Sequence, residues 1–412
     1  MNRDFSSFYI VSVESNNNLP EKFINKNMVS KNMLFSPITP EDYLKRIKKT
    51  KNHMKENELD LLIVFSDAWR SANCRYLTGV RPYPGFFSEV PGYNQALIAI
   101  PLEGDPTLFW CDHTIEWARR GVLGTIREEP WIDVKTWSEI SDVVKEMCTK
   151  NNVKNIGFEG KDIIPWPVYE YLKKDIDIEM KDTTILKIQR RVKSEKEIKL
   201  LEVASNINDR ICEELVRGII RYGVTEKEIQ RKIEELGHSM GAEYVDANFM
   251  QSRNVGWGHA TDATLKNGSI LSLHVILQYE GYNSDNDRII GFGKISKKEA
   301  ELAEITKEAL KNYLNAVKPG AEAMDAIIAA VNTHDYVAAG EQGAGASGHG
   351  IGLEAEEELI NEWIFEKGMV FTATTGAYNK DIKATWATED VVVVTERGAR
   401  LLTKFPIDYM IP

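Results

Sequence analysis

Cysteine is scarce in this 412-residue chain, and Cys74, Cys111, Cys148 and Cys212 are scattered with no CxxC pair. That spacing excludes a disulfide framework and a zinc ribbon and points to reduced thiols. Long apolar runs are missing as well: none approaches the roughly 18 residues needed to cross a bilayer, so no membrane is expected as a partner. Basic residues are too few for a nucleic-acid footprint, with 51 Lys and Arg against 62 Asp and Glu for a net charge of −11. The opening, SNNNLPEKFINKNMVSKN, lacks the apolar core of a signal peptide. Residues 1–36 read as a loosely ordered extension and the protein as cytoplasmic.

What is present is a globular composition, 43% apolar and 27% charged. The length predicts two domains. After Thr39-Pro40, a helix start, the run Leu61 to Phe65 reads as a buried strand. GYNQALIAIP, PTLFWC and NIGFEG continue as strands, and TWSEISDVVKEMCTKN as an amphipathic helix. The interleaving predicts an α/β domain over 37–186. Residues 187–412 differ in texture. Long helices (KSEKEIKLLEVASNINDRICEEL, TEKEIQRKIEELGHSM, SKKEAELAEITKEALKNYLNAV) precede strands joined by Gly-containing turns, the pattern of an α+β domain.

Four segments of this second half carry polar groups where apolar strands belong. QSRNVGWGHATDA holds His259 in a Gly-rich loop, and LSLHVILQYEGYNSDNDR reads as a hairpin carrying His274, Asp285 and Asp287. GASGHGIGLEAEEE places His349 between glycines, which admit a close backbone or ligand. WATEDVVVV sets Glu389 before four valines. A carboxylate in so apolar a strand wants a cation, a proton or a donor. Taken singly, each has a bland reading as a turn residue or a satisfied core group, and their joint occurrence is what argues for a site. Ala355 to Leu359, AEEEL, reads as a solvated helix start. His113, His238 and His334 have no companions and read as structural.

The order of the segments LDLLIVFSD, CRYLTG, RRVKSEKEIKLLEVA, GYNSDNDR, SGHGIGLE and EDVVVVTERG resembles the pita-bread superfamily of aminopeptidase P, prolidase and creatinase over nearly the whole chain. The resemblance implies an α/β N-terminal domain followed by an α+β pita-bread catalytic domain. In the peptidases of this family two divalent metals are held by Asp, Asp, His, Glu and Glu, positions that fall on His274, Asp285, His349, Thr374 and Glu389 here. Two of the five depart: TATTG, Thr372 to Gly376, stands where the peptidases carry a glutamate, and an imidazole replaces the first aspartate. A hydroxyl is a poor ligand and neutral imidazole does not supply a carboxylate's charge. The second peptidase histidine is missing too, with Glu356 at about its place.

The departures resemble creatinase and ectoine hydrolase, metal-free members that cleave C–N bonds in small nitrogenous solutes. Thr375-Gly376 resembles ectoine hydrolase, and Asp287 falls where creatinase has a catalytic glutamate. His259 matches the histidine creatinase uses for proton transfer. The resemblance therefore implies hydrolysis of an amide, amidine or cyclic amidine in a small-molecule substrate. His259 would move protons, Asp287 and Glu389 would bind the nitrogen, and His349 and His274 would polarise the scissile group. Arg81, Glu356 and Thr374 would contact substrate. The cofactor is none, or one Mn, Fe or Zn per subunit on Asp285, His349, Glu389 and His274. A homodimer is implied, with the aromatic stretch Gly79 to Asn94 closing the partner's site. An Xaa-Pro metallopeptidase and a catalytically inactive binding module are the alternatives.

Overall fold

The computed structural model describes residues 37–82, 90, 92–123, 131–174, 176–251, 258–333, 345–379, 381–382 and 384–411. The expected extension 1–36, His334 and residues 83–89 and 91 of the aromatic stretch lie outside them.

Residues 37–192 build a six-stranded sheet. Its strands are β1 (Leu61–Asp67), β2 (Gln95–Pro101), β3 (Thr107–Trp110), β4 (Asp133–Thr136), β5 (Ile156–Glu159) and β6 (Met180–Asp182), in the order β4-β3-β2-β1-β5-β6. β1 is central and its apolar run is buried on both faces. Leu62 and Val64 join one core cluster, and Leu61, Ile63 and Phe65 join another. A strand covered on both sides loses the alternation that a half-exposed strand shows.

The second sheet has eight strands. These are β7 (Tyr244–Gln251), β8 (Ser269–Tyr279), β9 (Tyr282–Phe292), β10 (Ala346–Ser347), β11 (Val370–Asn379), β12 (Ala384–Thr395), β13 (Gly398–Leu401) and β14 (Asp408–Ile411). The path runs β10-β11-β12-β9-β8-β7, with β13 on β12 and β14 on β9. Val245, Ala247 and Phe249 of β7 and Leu271, Leu273, Val275 and Leu277 of β8 bury one face against the helices Glu195–Glu214 and Glu226–Ser239. Phe371, Ala373, Val392 and Val394 do the same against Lys297–Ala316 and Ala323–Val331. By the period of two, residues such as His274, Asp287 and Glu389 are left on the opposite face.

The run AEEEL does not start a helix. Glu357 is buried with its carboxylate 2.8 Å from Lys193 Nζ, and Glu358 takes Arg191 in a bidentate pair at 2.5 and 2.9 Å. Glu354 pairs with Arg190 at 3.1 Å. The basic RRVK stretch linking the two sheets is thereby locked to the segment that follows His349. A charge run reads as solvated only while its counter-charges, some 160 residues away in sequence, go unseen. Lys193→Met leaves Glu357 buried with only Arg190 near it, at 3.8 Å. It is expected to cost about 3 kcal/mol, read as a lower urea midpoint at unchanged slope; a loss under about 1 kcal/mol contradicts the buried pairing.

Candidate active site

The site is set by register. Glu280 (φ 48°) and Gly281 (φ 84°) form a two-residue turn between β8 and β9, the geometry that matches strand twist. That turn fixes Tyr279 opposite Tyr282, and counting back puts His274 opposite Asp287 and Ile276 opposite Asp285. β12 adds Glu389 opposite Asp287, and β11 adds Thr374 opposite Glu389. The row His274, Asp287, Glu389, Thr374 therefore crosses four strands on one face, with Asp285 one step along β9. Asp285, Asp287 and Glu389 are 0%, 2% and 6% exposed.

Two imidazoles close the cluster. His274 Nε2 is bonded to Asp285 Oδ1. His349 Nε2 lies 3.1 Å from Glu389 Oε1 and 3.8 Å from Asp285 Oδ2, while its Nδ1 donates to Gly350 O at 3.2 Å. That bond orients the ring so that Nε2 faces the carboxylates. The flanking glycines serve packing. A Cβ on Gly348 would sit 2.4 Å from Thr372 O, and one on Gly350 would sit 2.9 Å from the Trp363 ring.

Burial and charge oppose each other here. Burial alone would depress His349, yet its bond to Glu389 and the charges of Glu389 and Asp285 push it up to about 9. His274 is likewise raised well above the usual imidazole range against the pull of burial, by Asp285 and then Asp287. Burial lifts Asp285, helped by the charge of Glu389, and lifts Asp287 well above the carboxylate range. Glu389 goes the other way: burial would raise it, but His349, His274 and the Thr372 hydroxyl hold it low. The acids thus hold both imidazoles towards their charged forms, burial pushes Asp285 and Asp287 towards their neutral forms, and Glu389 alone of the three acids is lowered. The raised His349 contributes stability that is fully present below its ordinary pKa of 6.5 and lost as pH rises through about 9. In metal-free protein the urea midpoint is expected to fall between pH 6 and pH 10 by more in wild type than in His349→Gln; an equal fall contradicts the pairing.

The donor set can hold one ion. Asp285 Oδ2 is buried without a hydrogen-bond partner, which is what an absent cation would leave behind. Ligand atoms of His274, Asp285 and Glu389 converge within 4.8 Å of one another, and His349 faces the same carboxylates. Two imidazoles and two carboxylates suit Mn, Fe or Zn. A second ion would fall to Thr374, whose hydroxyl brings no charge.

Other expected residues stand apart. His259 is exposed and lines a pocket of about 700 Å³ with Lys227, Arg231 and Asp246. Arg81 is engaged by Glu243 and Gln278, each at 3.4 Å, rather than turned to the site of its own chain. Glu356 is exposed, while its neighbour Glu357 takes the buried place. Sequence reasoning missed three residues. Thr372 supports Glu389, Asn248 continues the row opposite His274, and Arg288 is wholly buried behind Asp287. Counting by twos from Thr374 would have found Thr372, whereas Asn248 follows only from the β7–β8 register.

Comparison with known proteins fits this geometry. The creatinase/prolidase N-terminal domain family matches residues 46–192, and metallopeptidase family M24 matches residues 199–396. The chain belongs to the M24 pita-bread superfamily. It is 28% identical over 370 residues to an Xaa-Pro dipeptidase of Pyrococcus horikoshii, covering 87% of this chain and 97% of that protein. An Xaa-Pro dipeptidase of Pyrococcus furiosus is 27% identical over 375 residues, again 87% and 97%. A crystal structure of the Pyrococcus horikoshii prolidase matches with a TM-score of 0.74 at 28% identity, over 88% of this chain and 99% of that one. The α/β domain plus pita-bread domain expected from sequence is thus the fold of this M24 hydrolase. These relatives are prolidases, so the likeness to creatinase and ectoine hydrolase rests on the site residues alone. Among the described residues no helix is long and apolar enough to cross a membrane.

Proposed function

We propose that this M24 hydrolase cleaves the C–N bond of a small amide at a site that holds one divalent ion or none. The observation supporting it is the row His274, Asp287, Glu389, Thr374, in which an imidazole and a hydroxyl stand at two of the four positions that carry acids in the two-metal peptidases. Glu389, held ionised, accepts the proton of an attacking water. His349, charged up to about pH 9, donates to the carbonyl oxygen as it becomes an oxyanion. Asp287, kept protonated by burial, supplies the proton that the departing nitrogen needs. Were an ion bound instead, His274, Asp285, His349 and Glu389 would hold it, His349 Nε2 would ligate rather than donate, and the ion would supply Lewis acidity and lower the pKa of a bound water. His259 is given no step.

A second reading is an Xaa-Pro dipeptidase, favoured by similarity to enzymes of that name over 87% of the chain. Xaa-Pro dipeptides are therefore the first amides to try, ahead of N-acyl amino acids, creatine-like amidines and ectoine-like cyclic amidines. The resemblance also supports a cytoplasmic homodimer. Release of free amine from each class is measured with and without chelator. Turnover of one class, abolished in Glu389→Gln, is expected. Turnover of none contradicts the reading and leaves a binding module, and turnover indifferent to Glu389 contradicts the role given to that residue.

A further inference from the structure

β9 and β12 carry the two carboxylates that face each other in the site, yet a single registered pair, Glu389 with Asp287, joins them. Beyond it β9 turns to β14, pairing from Ile289 onward. The ladders on either side of this junction are far longer, with eleven consecutive pairs between β8 and β9 and ten between β11 and β12. Something other than the ladder holds this junction.

It is a side chain. Arg288 is 0% exposed and lies on the face opposite the site. Its Nη1 donates to Asp287 O and to Glu389 O, both at 2.7 Å, so one nitrogen ties the backbones of the two facing residues together. Thr388 Oγ1 adds a bond to Asp287 O at 3.0 Å. The guanidinium is itself fixed by Nη2 to Asp390 Oδ1 at 2.5 Å and Nε to Phe405 O at 3.1 Å. Asp390 Oδ1 also accepts from Thr403 Oγ1 at 2.6 Å. A buried ion pair is an expensive way to fill space, since apolar residues of the same volume often do so at no loss. The planar fork of arginine, however, holds several acceptors in fixed directions, whereas lysine's rotating ammonium does not fix them and leucine has no donor.

We propose that Arg288, with Thr388 and Asp390, is a positioning clamp that sets the distance between Asp287 and Glu389. It touches no substrate, and it acts by holding the reacting carboxylates in register across a junction the strands alone leave loose. This rests on the proposed reaction for its kinetic consequence, though not for its geometric one.

Thr388→Val removes one clamp bond with little change in shape, Thr388→Ser keeps it, and Thr50→Val removes a buried hydroxyl in the N-terminal half that bonds only Arg46 O and Gln189. Misplacement of reacting groups by a fraction of an ångström is expected to lower kcat about tenfold in Thr388→Val, with KM within twofold. Thr388→Ser restores kcat, and Thr50→Val lowers the melting temperature without touching kcat. Unchanged kcat in Thr388→Val, or an equal loss in Thr50→Val, overturns the clamp. Crystal structures of Arg288→Lys, or of Thr388→Val if the lysine variant does not fold, give a reading independent of substrate. A wider Asp287–Glu389 separation with the remaining strands superposed supports the clamp, and an unchanged separation overturns it. If wild type turns over no amide, the proposed reaction fails, and the crystals still decide the clamp.

Discussion

Glu389→Gln is expected to reduce turnover about a thousandfold or more while leaving the fold intact. Burial should raise a carboxylate on β12, but His349, His274 and the Thr372 hydroxyl hold Glu389 below its usual range. It is the one acid of the three whose pKa is lowered despite burial. An amide has the same volume, so packing against Thr374 and Asp287 survives. The charge, the proton-accepting capacity and the contact with His349 do not. His349 should titrate nearer its ordinary value in this variant, since its hydrogen bond with Glu389 leads the influences raising it to about 9. Turnover with the best amide and the His349 ring titration, followed by NMR, check both halves. Loss of turnover below about tenfold would remove Glu389 from the chemistry.

The second large effect comes from reversing the two departures together. His274→Asp with Thr374→Glu restores five acid or imidazole ligands at the family's metal positions. The double variant is expected to bind two Mn²⁺ per chain where the wild type binds at most one. Without metal it should be strongly destabilised, because buried acids with no counter-cation cost several kcal/mol each. Added Mn²⁺ should then raise its melting temperature far more than it raises that of wild type, by mass action on the folded state. Equal metal content and equal melting shifts in the two proteins would show that residues 274 and 374 do not control the count. Turnover of Xaa-Pro dipeptides gained in the double variant, and absent from wild type, would place the substrate change on the same two positions.

Much of the fold was legible because its signals are local. The Tyr279 to Tyr282 turn, the apolar run of β1 and the helix starts at Pro40 and Glu195 each follow from a few neighbouring residues. Three cluster members, His274, Asp285 and Asp287, sit on one hairpin, so their proximity is also a local matter. The approach of Glu389 depends on β12 pairing with β9 a hundred residues away, and no periodicity encodes that. The family resemblance supplied it instead. The same blindness explains the failure at AEEEL, whose partners Arg190, Arg191 and Lys193 are distant in sequence. It explains Arg288, a charged residue in DNDRIIGF that alternation marks as inward but whose acceptors lie on other strands. His259, which a motif match placed in the chemistry, is exposed and lines a pocket with Lys227 and Arg231.

The most direct test is the metal content of wild-type protein purified without chelator, by elemental mass spectrometry against protein concentration. One divalent ion or none per chain is the result that the His274 and Thr374 positions predict. Two per chain would contradict the account, return the site to the two-metal peptidase class and leave Thr374 without the meaning given to it here.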